Sequence, residues 1–290
     1  MVRPHRRPRD RPARRPTTAR RRVPRTDRKR ATRVTTRFPA GTFTPDPRPN
    51  APHLMLWAQT RLELLLLLRN GEQLLLTMFI PITLLVGLCL LPLDGLGEHR
   101  IDNVVPAVMM VAVMSTAFTG QAIAVGFDRR YGALKRIGAT ALPKWGIIAG
   151  KSAAVVIVVA IQALILGTIG IALGWRPELA GLALGAVAIA IGTVTFAAMG
   201  LLLGGTLKAE IVLALANILW FVMLGIGSIV FASDQLPDAL RFAARLIPSG
   251  ALAHTLREAL DLSIDWFGVA VLAVWAAASG WAASRLFRFT

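Results

Sequence analysis

Residues 179–207 read LAGLALGAVAIAIGTVTFAAMGLLLGGTL, a run without a single charged side chain. About 20 predominantly apolar residues in a helix cross the hydrocarbon of a bilayer, so this run is long enough to span it. Gly181 and Gly185, and again Gly200 and Gly204, recur at four-residue spacing. Such spacing lets a second helix come close in lipid, and packing inside one bundle is its plainest use.

Runs of the same kind lie on both sides. With residues 74–93, 104–127, 147–173, 211–232 and 266–287, the stretch 179–207 makes six expected spans. Only Lys208 and Glu210 part the fourth from the fifth, so a merged or re-entrant segment is the alternative there. Pro81 and Pro106 are expected to bend the first two. Residues 54–73 precede the spans, and 54–70 read LMLWAQTRLELLLLLRN, apolar but interrupted by Gln59, Arg61, Glu63 and Arg69. That pattern suits an amphipathic helix lying in the membrane interface. The expected class is an all-α membrane protein, with residues 1–53 as a basic tail, 54–73 as the interfacial helix and 74–290 as a six-helix transmembrane domain.

The charge balance agrees with this division. The 290 residues are 54% apolar yet carry 33 Lys+Arg against 16 Asp+Glu, net +17. Residues 1–50 hold 17 basic residues and three Asp, net +14, which leaves only +3 on the membrane body. The tail is rich in Arg, Pro and Thr without apolar periodicity, the composition of a disordered segment. Within the body, Arg129, Arg130, Lys135, Arg136 and Lys144 follow the second span, and Arg285 and Arg288 end the chain. Asp94, Glu98 and Asp102 oppose Arg100 after the first span, and residues 234–265 hold five acids against Arg241, Arg245 and Arg257. Basic loops stay inside, which places both termini in the cytoplasm of a plasma-membrane protein.

Several chemistries are excluded. Cys89 is the only cysteine, and His5, His53, His99 and His254 sit at no ligand spacing, so no metal site and no disulfide is expected. Gly150-Lys151-Ser152 resembles the end of a phosphate-binding loop, but Trp145 stands where its first glycine belongs, and the motif runs into a span. Lys151 is expected instead to extend its ammonium toward the headgroups. No catalytic constellation is present, and no carboxylate pair lies deep in a span as ion-driven carriers use. Gln121, Gln162 and Asn217 are the deepest polar residues of the spans. Lining a translocation path and hydrogen-bonded packing are both open to them.

The segment after the second span, residues 128–143, reads DRRYGALKRIGATALP. On a helix Tyr131, Leu134, Gly138 and Leu142 fall near one face, away from Arg129, Lys135 and Arg136. A short amphipathic helix at the membrane surface and a solvated basic loop are the two readings left open by the pattern.

Here the sequence resembles the permease subunits of ABC-2-type transporters, particularly the bacterial drug-efflux branch similar to daunorubicin-resistance permeases. Those carry E-R-x-x-G-x-L-x-x-L-x-x-T-P-L after the second span. This chain has Asp128 for the Glu, then Arg129, Gly132, Leu134, Ile137 for Leu, Thr140, Ala141 where Pro is usual, and Leu142. The resemblance extends over residues 51–290, including a long segment before the last span in which Pro237, Pro248, Leu240, Phe242, Leu246, Ile247 and Leu252 suit short re-entrant or interfacial helices.

The resemblance implies an ABC-2 type permease fold and a transport subunit without its own ATPase site. ATP and Mg would sit on a separate ABC ATPase subunit, and a second permease subunit, identical or different, would complete a dimer. Asp128, Arg129, Arg130, Tyr131, Gly132, Leu134, Lys135, Ile137, Thr140, Leu142 and Pro143 would then form the helix that docks on the ATPase. The implied cargo is an amphiphilic or hydrophobic drug or antibiotic. Export of lipid or glycan precursors and a non-transporting membrane scaffold are the alternatives. Anionic lipid is the expected partner of the basic tail, which has too few aromatic residues for nucleic-acid binding. A translation start at Met55 is the other account of that tail.

Overall fold

The computed structural model describes residues 50–91, 100–140, 142–231 and 237–287. The tail before residue 50 therefore lies outside the described residues, as do Asp94, Glu98, Ala141, Asp234 and Arg288.

Every regular element described is helical. Helix α1 (Pro52–Arg69) starts with proline in its first turn, where the missing N–H costs nothing, and Asn70 closes it on the carbonyls of Leu66 and Leu67. Then come α2 (Gly71–Leu90), with Pro81 inside it, and a continuous helix of 31 residues, Arg100–Arg130. That helix consists of α3 (Arg100–Val113), a π-helical stretch Met114–Gly120, and α4 (Gln121–Arg130). A five-residue helix α5 (Ala133–Ile137) leads to α6 (Lys144–Ala172), α7 (Leu179–Thr206) and α8 (Ala209–Phe231). Two short helices, α9 (Asp238–Arg245) and α10 (Pro248–Leu260), precede α11 (Trp266–Leu286).

Five of these stretches are long and apolar enough to cross a membrane: Arg100–Arg130, Trp145–Ala172, Leu179–Thr206, Ala209–Ser228 and Trp266–Leu286. Helix α2, 20 residues long, adds a shorter apolar stretch, Thr77–Leu90, so that five or six apolar helices of membrane length are described. The fourth and fifth are separate helices, not one merged segment, because Leu207 adopts an extended conformation (φ −97°, ψ 165°) between them.

Helix α7 is the pillar of the bundle, and its glycines explain why. A Cβ at Gly200 would lie 2.8 Å from the carbonyl oxygen of Phe118, and one at Gly192 would lie 2.6 Å from a Leu252 methyl. Gly181 meets the Leu260 carbonyl in the same way, at 2.8 Å. So α4 and the π-helical stretch pack on one half of α7 and α10 on the other. Thr195, fully buried, donates to the Leu272 carbonyl of α11 at 3.1 Å. Lipid tails are as apolar as leucine, so close packing and interhelical hydrogen bonds hold such a bundle, each bond contributing about 0.6 to 2 kcal/mol.

The π-helical stretch supplies more of these bonds. Its wider turn presents Thr116, which donates to Oε1 of Gln162 on α6 at 2.9 Å, while Ser115 accepts from Nε1 of Trp220 on α8 at 3.1 Å. Bulky side chains fill the space between: Phe118, Phe196, Met110, Met114 and Leu252 are fully buried.

Helix α1 faces the bundle with its polar side. Gln59, Thr60 and Glu63 are buried, whereas Leu62, Leu65, Leu66, Leu68 and Trp57 are exposed. Gly150 makes room for it on α6: a Cβ there would come within 3.0 Å of the Gln59 Cβ.

Candidate coupling segment

The ends of α4, α7 and α11, the middle of α1 and the beginnings of α6 and α8 gather at the end of the bundle that carries α5. The segment starting at Asp128 is fastened there by three consecutive charges, each on a different neighbour. Asp128 Oδ2 accepts from Nζ of Lys151 on α6 at 2.7 Å. Arg129 Nη1 donates to the carbonyls of Gly204 and Leu207 at the C-terminal end of α7, both at 3.0 Å. That end of a helix leaves carbonyls unsatisfied and is negatively polarised, so a guanidinium fits it twice over. Arg130 pairs with Glu210 of α8 at 2.5 Å, an exposed contact of little energetic weight.

Gly132 then turns the chain. Its φ of +70° lies in the left-handed region that other residues enter at a cost of about 1 to 2 kcal/mol, and it separates α4 from α5. The apolar positions that follow point inward. Leu134 is 0% exposed and forms a small core with Val125, Ile147 and Leu201, against which Ile137, Leu142 and Phe287 pack. Thr140 donates its hydroxyl to the Ile137 carbonyl at 2.6 Å, and Pro143 provides the extended residue from which α6 starts.

Tyr131, Leu134, Gly138 and Leu142, expected near one face of a helix, do not share an outward face. Leu134 belongs to the chain's own core, and Leu142 packs half-buried against it. Tyr131, by contrast, is 67% exposed, stacked on Phe127 with the Arg130 guanidinium 6.0 Å from its ring. Lys135, Arg136, Gly138, Ala139 and Thr140 are exposed beside it. The outward surface is thus one aromatic ring among basic side chains.

Lys151 also departs from expectation. It does not reach for headgroups: it is 7% exposed and its ammonium lies between Asp128 and Glu63, 2.8 Å from the latter. Spacing on its own helix offers no hint of this, since both partners come from elsewhere in the chain.

Gln121, Gln162 and Asn217 do not converge. Gln121 is buried, with Nε2 3.4 Å from the Ala197 carbonyl and no hydrogen-bond partner for Oε1 among the described residues. Gln162 bridges Thr116 and the Thr77 carbonyl of α2, the latter at 3.1 Å. Asn217 is exposed on α8 and donates to the Leu213 carbonyl of its own helix at 2.7 Å.

At the opposite end lies a polar cluster drawn from three short stretches of residues 245–265, which meet only once α9, α10 and the start of α11 fold together. Asp265, 8% exposed before α11, accepts from Nη2 of Arg245 at 2.6 Å, lies 2.9 Å from Nδ1 of His254, and accepts from Thr255 at 3.4 Å. It thereby joins α9, α10 and α11. Among the described residues no group of His, Cys, Asp and Glu has the makings of a metal site.

Residues 55–260, from within α1 to the end of α10, match the ABC-2 type transporter family, and the chain belongs to it. It is the multi-pass transmembrane permease component of such a transporter, a domain that has no ATPase activity of its own. Permeases of this family pair with ABC ATPase subunits. Comparison with curated proteins found no match.

Proposed function

We propose that this permease belongs to the drug-efflux branch of its family and exports an amphiphilic or hydrophobic compound across the plasma membrane. Residues 128–143 dock on the ABC ATPase subunit, residues 54–73 lie in the interface, and residues 74–290 form the transmembrane domain. The observation that carries this reading is the geometry of the 128–143 segment. Tyr131, Lys135 and Arg136 are exposed, while Asp128, Arg129 and Arg130 tie the same segment to α6, α7 and α8. An aromatic anchor with basic neighbours is what a groove on a protein partner recognises. Displacement of the anchor would pull on three helices at once and so change which side the path opens to.

Basic residues at the α5 end favour a cytoplasmic position for it and for both termini. A dimer of permeases, identical or different, then encloses the path, and the basic tail lies beside anionic headgroups. The nature of the cargo is supported by the spans, where charges among the described residues stay near the helix ends. A groove of about 420 Å³ between α6 and α7 is lined by Val159, Leu164, Ile189 and Leu256. Apolar surface of this kind suits a hydrophobic compound better than an ion.

Reconstitution with its ABC ATPase subunit in lipid vesicles tests the proposal, with daunorubicin as a fluorescent amphiphilic probe. ATP-dependent accumulation of the probe is expected, together with stimulated ATP hydrolysis. Hydrolysis without movement of daunorubicin, but with movement of a lipid-linked glycan, would assign the chain to precursor export instead.

A further inference from the structure

Lys151 stands between two elements that are distant in sequence. Its ammonium is 2.8 Å from Glu63 Oε2 on α1 and 2.7 Å from Asp128 Oδ2 at the end of α4. The remaining Glu63 oxygen accepts from Gln59 Nε2 at 2.7 Å, one turn earlier on α1. Lys151 and Glu63 are 7% exposed each, and at Gly150 the two helices are nearly in backbone contact. One cation thus holds two carboxylates, Glu63 buried beside it and the Asp128 side chain 36% exposed at the rim.

Such a group is either complete or costly. Without their cation the two neighbouring carboxylates repel each other, and Glu63, a buried charge, would lose its partner, which is far more destabilising than the intact pair is stabilising. Any displacement of Asp128 must therefore carry Lys151 and Glu63 along or break the cluster. Asp128 is also three residues from the exposed Tyr131, with no flexible segment between them, because α4 runs on to Arg130.

We propose that Lys151 is a positioning residue that locks α1, the start of α6 and the 128–143 segment into one block, so that α1 moves with that segment in each transport cycle. This rests on the docking role proposed for residues 128–143. It also gives Asp128 an internal role, in which its carboxylate holds the block together and the exposed residues that follow are left to meet the ATPase. Through the block, a push at the segment reaches α1, whose exposed leucines and Trp57 touch the lipid, as well as the spans.

The test measures relative movement directly. Spin labels replace Trp57 on α1 and Ala139 just after α5, both exposed and neither part of the Tyr131, Lys135 and Arg136 surface, in a Cys89→Ser background, and pulsed electron resonance gives their distance in the full permease–ATPase complex. With Lys151 present the distance should be the same in the nucleotide-free and vanadate-trapped states. The K151M variant should broaden it, and transport should fall by about tenfold while ATP hydrolysis stays within about twofold, the size expected for loss of a coupling contact. Should K151M fold poorly, the triple variant E63Q/D128N/K151M removes every charge and leaves no unpaired carboxylate, and the same broadening is expected. A label distance that changes with nucleotide in the unsubstituted complex overturns the proposal. So does an unaltered distance in both variants. Absence of ATP-dependent transport in the unsubstituted complex would count against the exporter role instead, and the distance measurement would still decide the lock.

Discussion

A Cβ on Gly200 would lie 2.8 Å from the carbonyl oxygen of Phe118, so α7 meets the second span backbone against backbone. No flexible side chain is there to yield. Gly200→Ala should therefore destabilise the folded chain by about 1 to 3 kcal/mol, the usual range for overpacking. Gly225→Ala and Gly280→Ala, inside helices and with nothing within 4 Å of the added carbon, should not lower the melting temperature in detergent and should raise it if anything. Equal melting of all three would mean that close approach does not hold α7.

Arg129 satisfies two carbonyls of the α7 end with one planar guanidinium. Arg129→Lys cannot reproduce both bonds with the same geometry, and Arg129→Met makes neither. Loss of about 1.5 to 3 kcal/mol is expected for Arg129→Met, as for hydrogen bonds to a charged group, and a smaller loss for Arg129→Lys. Chemical denaturation monitored by tryptophan fluorescence would check the order.

Gln162 and Asn217 look alike in the sequence and differ in the bundle. Gln162→Leu deletes bonds to Thr116 and to the Thr77 carbonyl, and should cost about 0.6 to 2 kcal/mol. Asn217→Leu gives up only a bond within its own helix and should stay within about 0.5 kcal/mol. A thermal-shift comparison separates them, and a transport defect in stable Asn217→Leu would mark a role on the exposed face of α8.

Much of this fold can be read from runs of apolar residues, because span length and glycine spacing are local properties. The apolar helices and the helix before them follow from short stretches of chain, whereas the break at Gly132, in the middle of the segment read as a helix, does not. What the stretch cannot carry is the identity of a partner across the bundle. Periodicity puts Tyr131 and Leu134 on one face, yet Leu134 is consumed by Val125, Ile147 and Leu201, which come from α4, α6 and α7. Lys151 resembles a lysine near a helix end and turns inward only because Glu63 and Asp128 arrive from elsewhere. The polar residues of α1 face the protein for the same reason. The π-helical stretch has no pattern that marks it in advance, since its hydroxyls are useful only once Gln162 and Trp220 stand beside them.

Whether the exposed face of residues 128–143 holds the ATPase can be measured on the purified proteins. Tyr131 and Arg136 are both exposed, so Tyr131→Glu with Arg136→Glu changes that face without entering the core around Leu134. The measurement is the affinity of purified permease, in detergent, for its purified ABC ATPase subunit. With the melting temperature of the permease unchanged, the double variant should bind at least about tenfold more weakly, as loss of an aromatic anchor and a basic neighbour entails. Undiminished binding by a folded double variant would contradict the docking role of this segment.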